Sequence, residues 1–337
     1  MRLNHDFVKY LSNRIKLLHL KKKENVSIPY PTGIMIELGN HCNLHCKMCA
    51  REYKYGQEMD KGFMPLDRAK AIIDEIYPYL DSIGLTGLGE TFMYPHIEEI
   101  TRYIKNKKPS IIITVSTNAH FKTFRDMITP ALAYIDNIQF SVDGTKGIYE
   151  KIRPGTDFNF ICENIRYVVS RGKGISFMIN TVIMKENLHD LHNIITLANS
   201  LGISNVNFNT MNAASMAGQN IDIYGLYRSD KYKEEIKRID TARREMPQMN
   251  ITGLNIPEKT GFQRCPFIWH HQYITWDGYY VPCCAKPFPK EMNMGNVFRD
   301  GVLSTLNSND AKQLRNMWLH NQAPSFCSDC TYLNLKK

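Results

Sequence analysis

Three cysteines lie close together near the start of the 337-residue chain. Cys42, Cys46 and Cys49 are spaced C-x3-C-x2-C, which allows their thiolates to converge on one metal centre. No further cysteine lies nearby, so a tetrahedral zinc ion or a fully ligated iron–sulfur cube would lack one protein ligand. The spacing therefore favours a [4Fe–4S] cluster in which one iron stays open for a bound molecule.

Two alternatives to this cluster use the same stretch. His41 and His45 flank the cysteines and leave open a mixed cysteine–histidine zinc site. Structural thiols that bind no metal are the other alternative. Both fit the spacing less well, because zinc sites usually pair two cysteine or histidine units of regular spacing.

A second group of cysteines lies near the end of the chain. Cys265, Cys283, Cys327 and Cys330 are enough to saturate one further cluster, and a four-cysteine zinc site is the alternative. Cys284 follows Cys283 directly, and adjacent residues of a strand point to opposite faces. We therefore predict that Cys284 is a packed thiol, while roles as an alternative ligand or as a hydrogen-atom donor stay open.

Short apolar runs alternate with helical patterns through the first two thirds of the chain. Six runs are predicted strands, at residues 34–38, 82–88, 110–116, 137–142, 175–183 and 205–209. Such repeats favour a parallel sheet whose right-handed crossovers curl it into an open barrel. In such barrels the chemistry lies at the carboxyl ends of the strands, which is where the cysteine loop and the other glycine-rich and polar stretches fall.

The remaining segments complete the predicted domain organisation. Residues 1–30 form a basic amphipathic helix, residues 31–210 the barrel, residues 211–262 a linker and helical segment, and residues 263–337 a small α+β domain. That last domain begins with a hairpin whose arms lie on either side of Asp277-Gly278. Cys162 falls on the apolar face of a predicted helix and is expected in the core.

The first cysteine loop resembles the signature of the radical S-adenosylmethionine (radical SAM) superfamily, and the resemblance covers residues 31–210. It implies a partial (β/α)6 TIM-like barrel in which the open iron chelates S-adenosylmethionine. Leu88 departs from the family pattern, where a second glycine is usual, and Met48 stands where an aromatic residue is common. The resemblance implies cofactor contacts at Met48, Gly87, Gly89, Glu90, Ser116, Asn118, Ser141, Asp143 and Arg153; a surface arginine is the alternative for the last of these.

The second group of cysteines resembles the auxiliary-cluster module of the SPASM/twitch group in its single-cluster form, most closely that of the radical SAM aminocyclitol dehydrogenase. Two [4Fe–4S] clusters and S-adenosylmethionine are the implied cofactors, with the auxiliary cluster relaying electrons. The implied reaction is reductive cleavage of S-adenosylmethionine to a 5′-deoxyadenosyl radical that abstracts hydrogen from substrate. An external one-electron reductant such as flavodoxin or ferredoxin is the expected redox partner.

The predicted function is dehydrogenation or epimerisation of a sugar, aminocyclitol or nucleotide-like small molecule. A peptide-modifying maturase of the same superfamily is the alternative, and a non-catalytic zinc or iron–sulfur protein is the third possibility. Maturases often carry a leader-recognition domain, and the short segment before the first strand is expected to leave no room for one there.

Charge and hydropathy bound the partners and the compartment. The chain has 42 Lys and Arg against 33 Asp and Glu, and residues 1–23 hold seven of the basic residues against the single acid Asp6. This segment is interpreted as a helix packed on the domain with a solvated basic face, or as a contact for an anionic membrane or a lipid phosphate. Basic and aromatic residues do not interleave, so no nucleic-acid partner is expected. The lack of a signal peptide or an apolar span predicts a cytoplasmic protein, in which nine cysteines indicate metal ligation rather than disulfides.

Overall fold

A single sheet connects most of the chain. The structure, a computed structural model, describes residues 5–22, 25–211, 216, 223–254, 263–327 and 330. Within these residues the sheet has nine strands: Gly33–Ile36 (β1), Ser82–Gly84 (β2), Ile112–Thr117 (β3), Asn137–Ser141 (β4), Ser176–Ile183 (β5), Asn205–Thr210 (β6), Asn250–Thr252 (β7), Gln272–Ile274 (β8) and Tyr280–Val281 (β9).

The strand order is β7-β6-β5-β4-β3-β2-β1-β8-β9. Each of β1 to β6 is parallel to its sequence neighbours, which confirms the predicted α/β fold with an open, partial barrel. Strand β2 ends at Gly84, short of the predicted residue 88, because the chain then turns around the buried side chain of Glu37.

Both ends of the sheet extend beyond the six predicted strands. Strand β7 comes from the predicted linker and pairs in parallel with β6. Strand β8 comes from the predicted C-terminal domain and pairs in parallel with β1, while β9 forms the predicted hairpin with β8. Gly278 in the hairpin turn has a φ of +86°, a conformation that suits glycine. The C-terminal module therefore continues the sheet of the barrel, and the predicted domain boundaries stay a prediction.

Helices cover the outer face of this sheet. They are α1 (His5–Lys22), α2 (Lys54–Gln57), α3 (Leu66–Ile76), α4 (Ile97–Lys107), α5 (Phe124–Ala131), α6 (Lys146–Ile152), α7 (Phe158–Arg171), α8 (Leu191–Ser200), α9 (Ile223–Arg228), α10 (Asp230–Glu245), α11 (Phe267–His270), α12 (Val297–Asp300), α13 (Val302–Leu306) and α14 (Asn309–Leu319). Helix α4 illustrates why they pack, since Ile97, Ile100 and Ile104 recur at helical spacing and are all buried.

The strands alternate between an apolar face and a polar face. Ile113 and Val115 of β3 and Phe177 and Ile179 of β5 are buried, whereas the residues between them are partly exposed. The buried set joins the helices in one continuous hydrophobic core, in which Cys162 lies as predicted. Consequently the other face of the strands is free to line the interior of the barrel with polar groups.

Helix α1 forms where predicted and Leu20 packs in the core, but most of its other apolar residues do not. Phe7, Leu11, Ile15 and Leu18 are each about half exposed. Among the described residues, no helix is both long and apolar enough to cross a membrane.

Candidate functional site

The first cysteine loop follows β1 at the carboxyl end of the strand. Burial raises the pKa of the thiols of Cys42, Cys46 and Cys49, and the negative charges of neighbouring thiolates raise them further. The amide of Cys49 donates to the carbonyl of Cys46 at 2.9 Å, which folds the loop back on itself. The structure thus brings the three predicted ligands into one partly buried cluster.

A buried arginine that the sequence did not predict lies beside these thiols. Arg51 is 7% exposed, and its Nε and Nη1 atoms have no hydrogen-bond partner among the residues that the structure describes. Its positive charge lowers the pKa of Cys42 and Cys49, opposing the effect of burial. An uncompensated buried cation is costly, so this loop is suited to holding a group of negative charge.

Arg153 and Asp143 form a buried ion pair next to the loop. The guanidinium donates from Nε and Nη2 to one carboxylate oxygen of Asp143, at 2.8 and 2.6 Å, and Nη1 lies 3.6 Å from Sγ of Cys46. Burial lowers the pKa of Arg153, but the negative charges of Asp143 and Cys46 raise it above its ordinary value. The alternative of a surface arginine was wrong, because Asp143 anchors this side chain against the cysteine loop.

Glu90 and Asn118 connect the ends of β2 and β3 to the same loop. The buried carboxylate of Glu90 accepts from Thr117 Oγ1 at 2.6 Å and from the amide of Asn118 at 2.7 Å. Burial raises the pKa of Glu90 to about 7. Asn118 in turn donates to Asn43 Oδ1 at 3.0 Å and lies 3.7 Å from Sγ of Cys42. Glu90 is therefore bonded to protein groups that position Asn118, and its own cofactor contact stays a prediction.

The packing of the protein requires glycine at both predicted positions, Gly87 and Gly89. A Cβ atom at Gly89 would lie 2.7 Å from the carbonyl oxygen of His41 and closer still to that of Gly39. At Gly87 it would collide with the carboxylate of Glu37. The turn after β2 is thus packed directly against the cysteine loop. This packing explains both glycines, and their predicted contact with the cofactor stays a prediction.

Glu37 is another buried acid near the site and, unlike Glu90, was not predicted from the sequence. Its carboxylate accepts from the amide of Leu88 at 2.8 Å and from the hydroxyl of Tyr273 at 2.7 Å. Burial raises the pKa of Glu37 to about 7. Since Tyr273 belongs to β8, this acid ties the C-terminal module to the turn after β2.

The face of β3 to β6 away from the helices is a wall of polar side chains. Ser116 Oγ donates to Gln139 Oε1 at 3.1 Å, and Asn207 and Asn209 both donate to Asn180 Oδ1, at 2.9 and 2.6 Å. These residues alternate with buried apolar ones, a pattern that the sequence displays as Asn-Val-Asn-Phe-Asn in β6. We call this surface the amide wall; it consists of Ser116, Gln139, Ser141, Asn180, Asn207 and Asn209. Of these residues, only the two serines were predicted from the sequence, as cofactor contacts.

A large cavity of about 1210 Å³ opens beside the cysteine loop. Cys46 and Met48 lie on one side of it, and the side chains of Met184, Met211 and Met216 form an apolar patch with Ile152. The rim is charged, with Lys185, Glu186, Lys231, Glu234 and Arg238. Met48 therefore lies in a methionine-lined cavity next to the predicted cluster, and its contact with the cofactor stays a prediction.

The second group of cysteines is also brought together. The thiols of Cys265, Cys283, Cys327 and Cys330 interact electrostatically, and burial raises the pKa of Cys265 to about 11 and that of Cys327 to about 12. Among the described residues, no three His, Cys, Asp or Glu side chains are arranged to hold a single metal ion.

Cys284 lies in a turn beyond the end of β9. The alternation of side chains along a strand therefore does not apply to it, and the argument that it faces away from Cys283 was wrong. Burial, and next the charge of Cys283, raise its pKa to about 12. Its thiol also interacts electrostatically with Tyr273 and Cys265.

Two family models match the parts of the chain that contain the two groups of cysteines. One is described as the radical SAM superfamily and matches residues 36–198; the other is described as an iron–sulfur cluster-binding domain, SPASM, and matches residues 265–331. The chain therefore carries a radical SAM domain followed by a SPASM domain. Its radical SAM and SPASM domains imply [4Fe–4S] clusters and S-adenosylmethionine as cofactors, as the sequence predicted.

Two curated relatives of this radical SAM protein differ in how much of it they match. The antilisterial bacteriocin subtilosin biosynthesis protein AlbA of Bacillus subtilis is 24% identical over 330 residues, which cover 95% of this chain and 68% of AlbA. The tungsten-containing aldehyde ferredoxin oxidoreductase cofactor-modifying protein of Pyrococcus furiosus is 26% identical over 178 residues, which cover 50% of this chain and 49% of that relative. The chain thus spans about half the length of the second relative.

The fold of this radical SAM protein resembles that of a solved protein–peptide complex. Streptococcus suis SuiB bound to precursor peptide SuiA superposes with a TM-score of 0.71 at 16% identity, over 99% of this chain and 76% of SuiB. At this identity the likeness concerns the fold, a mixed α/β architecture with a parallel, open sheet.

The residues around the first loop fit an iron–sulfur cluster. Three thiols converge there, and the positive charge of Arg51, whose Nε and Nη1 have no hydrogen-bond partner among the described residues, acts on two of them. A second guanidinium, that of Arg153, has its Nη1 3.6 Å from the sulfur of the third. Cluster thiolates are negative, so both arginines match their charge. Arg51 lies two residues after Cys49 in an ordinary polar stretch, and only its burial reveals its importance.

Proposed function

We propose that this radical SAM protein modifies a peptide substrate. The observation that carries the proposal is the similarity to AlbA, a bacteriocin biosynthesis protein, which runs over 95% of the chain. The sugar or aminocyclitol substrate that the sequence predicted gains no support from these relatives. The alternative, a peptide-modifying maturase, therefore takes its place.

The cysteines of the chain have separate roles in this proposal. Cys42, Cys46 and Cys49 would hold the cluster that binds S-adenosylmethionine. The auxiliary cluster would be held by Cys265, Cys283, Cys327 and Cys330. When bound, the first cluster and S-adenosylmethionine supply a radical that removes hydrogen from the substrate. An external flavodoxin or ferredoxin would provide the electron.

The side chains near the first loop hold it in place and exclude water. Arg153 is clamped by Asp143, and Glu90 fixes the backbone that carries Asn118. Each of these groups is at most 8% exposed, so their hydrogen bonds do not compete with solvent. Rigid support of this kind is what a reaction with an indiscriminate radical requires.

The interior of the barrel supports a peptide as the substrate. Side-chain amides carry both a donor and an acceptor, as the peptide backbone does, and the amide wall offers four of them at Gln139, Asn180, Asn207 and Asn209. The cavity beside Met48 adds an apolar patch of methionines, a side chain that adapts to partners of different shape. Together they suit an extended polar chain that places one apolar side chain near the cysteine loop.

Product analysis tests the proposal. The anaerobically reconstituted protein, with S-adenosylmethionine and a reductant, is offered short peptides encoded beside its gene and, separately, aminocyclitols and sugars. We expect 5′-deoxyadenosine to form and a peptide to change in mass. The combined replacement of Cys42, Cys46 and Cys49 by alanine should abolish both, whereas Cys162→Ala, a buried thiol in the core, should retain them. Turnover of a small molecule while every peptide stays unchanged would refute the proposal.

A further inference from the structure

Helix α1 presents an apolar stripe to solvent. Phe7, Val8, Leu11, Ile15 and Leu18 have exposed fractions of 46% to 59%. At 3.6 residues per turn these five positions fall within a sector of roughly 100°. In the part of the chain that the structure describes, only Ile112 is a comparably exposed large apolar residue. The stripe is therefore a continuous surface on one helix face.

The opposite face of α1 is fixed to the protein. Asn13 and Leu20 are buried, and the hydroxyl of Tyr77 donates to Asp6 at 2.8 Å. Tyr10 and Arg14 both donate to Asp81, at 2.9 and 2.5 Å. These bonds determine which face of the helix points outward, so the exposure of the stripe is built into the fold.

The segment that carries the stripe is strongly basic. Residues 1–23 contain seven Lys and Arg against the single acid Asp6. Lys9, Lys16 and His19 line a cleft of about 870 Å³ that lies between α1 and the chain around Ile28 and Tyr30. An apolar face on a strongly basic segment is complementary to a bilayer whose headgroups are anionic.

We propose that α1 docks this protein on an anionic lipid bilayer. The stripe enters the boundary between headgroups and acyl chains, and the positive charge of the segment is attracted to the anionic headgroups. A second copy of the chain is a poorer occupant, because pairing two such helices would bring two strongly basic segments together.

The position of α1 in the fold leaves the candidate site accessible in the docked state. Asp81, which anchors the helix, directly precedes β2, whereas the cysteine loop follows the carboxyl end of β1. Because β1 and β2 are parallel, the helix and the loop lie at opposite ends of the strands. Docking therefore turns the cysteine loop away from the bilayer. This proposal does not depend on which substrate the enzyme modifies.

Vesicle co-sedimentation of the full chain tests the docking. We expect binding to vesicles that contain phosphatidylglycerol to be about tenfold tighter than binding to phosphatidylcholine alone, and to weaken as salt is added. The double variant Leu11→Ser, Leu18→Ser should lose about tenfold in affinity, and Lys16→Glu should also bind more weakly. The matched controls are Ile112→Ser, which removes an equally exposed apolar side chain from β3, and Lys173→Glu, which reverses an exposed charge elsewhere.

The outcomes separate this proposal from its competitors. Equal binding to both kinds of vesicle, no binding to either, or equal losses in the controls would each overturn it. So would a stable dimer that Leu11→Ser, Leu18→Ser converts to a monomer, because the stripe would then be covered by a second copy. Far-ultraviolet circular dichroism and iron content should be unchanged in every variant, since the replaced side chains face solvent.

Discussion

At the scale of single residues, the charge of Arg51 has a testable role. Arg51→Met removes a buried positive charge beside Cys42 and Cys49 while keeping a long apolar side chain. The thiolates would lose a compensating charge, so we expect the reconstituted protein to release iron to a chelator about 10-fold faster. The measurement is iron per chain against time after chelator addition.

The control for Arg51 is another arginine, Arg299→Met. That side chain is 75% exposed and pairs with the adjacent Asp300. It should leave iron retention unchanged. If Arg51→Met holds iron as firmly as the unaltered protein, the guanidinium does not stabilise the thiolates.

The buried acids Glu37 and Glu90 make stability depend on pH. Burial raises the pKa of each carboxyl to about 7, above the value near 4.5 of an exposed glutamate. Between these values the folded protein keeps a proton that the unfolded chain has lost, so the free energy of unfolding decreases as pH rises. Each residue contributes about 3 kcal/mol to this decrease, which is complete slightly above pH 7.

Glu37→Gln tests this dependence. The amide does not titrate, so the decrease in the free energy of unfolding between pH 5 and pH 8 should be reduced by about half. Urea unfolding of the metal-free protein at the two pH values measures it. Glu291→Gln, at an exposed position, is the control and should preserve the full decrease. An unaltered decrease in Glu37→Gln would mean that Glu37 is ionised in the folded state.

At the scale of elements, the turn after β2 packs so closely on the cysteine loop that it leaves no room for a side chain at Gly89. A Cβ atom at Gly89 would collide with two backbone carbonyls, which cannot rotate away as a side chain could. Gly89→Ala should therefore lower the free energy of unfolding by about 1–3 kcal/mol and reduce iron incorporation. Thermal unfolding and iron analysis are the measurements.

Gly147→Ala is the matched control for this change. Gly147 lies in α6, and a Cβ atom there would meet nothing within 4 Å. Alanine is the better helix former, so this variant should gain up to about 1 kcal/mol. If the two alanine variants behaved alike, the contact between turn and loop would not limit the site.

At the scale of the whole molecule, the barrel and the C-terminal module share one sheet. Strand β8 pairs with β1, and Tyr273 of β8 bonds Glu37 next to the cysteine loop. Removing residues 263–337 would expose the edge of β1 and leave a buried acid with fewer partners. We expect such a truncated chain to aggregate in size-exclusion chromatography and to lose iron from the first cluster as well. A monomeric truncated chain that retains this iron would establish two independent domains.

The sequence by itself determined the architecture and the two groups of cysteines. Periodic apolar runs are local signals, so the six parallel strands, the hairpin around Gly278 and the helix His5–Lys22 were all predictable. The spacing of Cys42, Cys46 and Cys49 likewise carried the family resemblance within eight residues. Each of these features depends on neighbours in the chain.

Only the tertiary structure decided which polar groups support the site. Arg51 and Glu37 have no distinctive sequence context, and they matter because distant segments bury them. Arg153 was predicted to contact the cofactor, yet its ion pair with Asp143 forms only because α6 packs beside β4. The outward stripe of α1 was hidden for the same reason, because hydrogen bonds to Asp81 and Tyr77 determine which face of an amphipathic helix points to solvent.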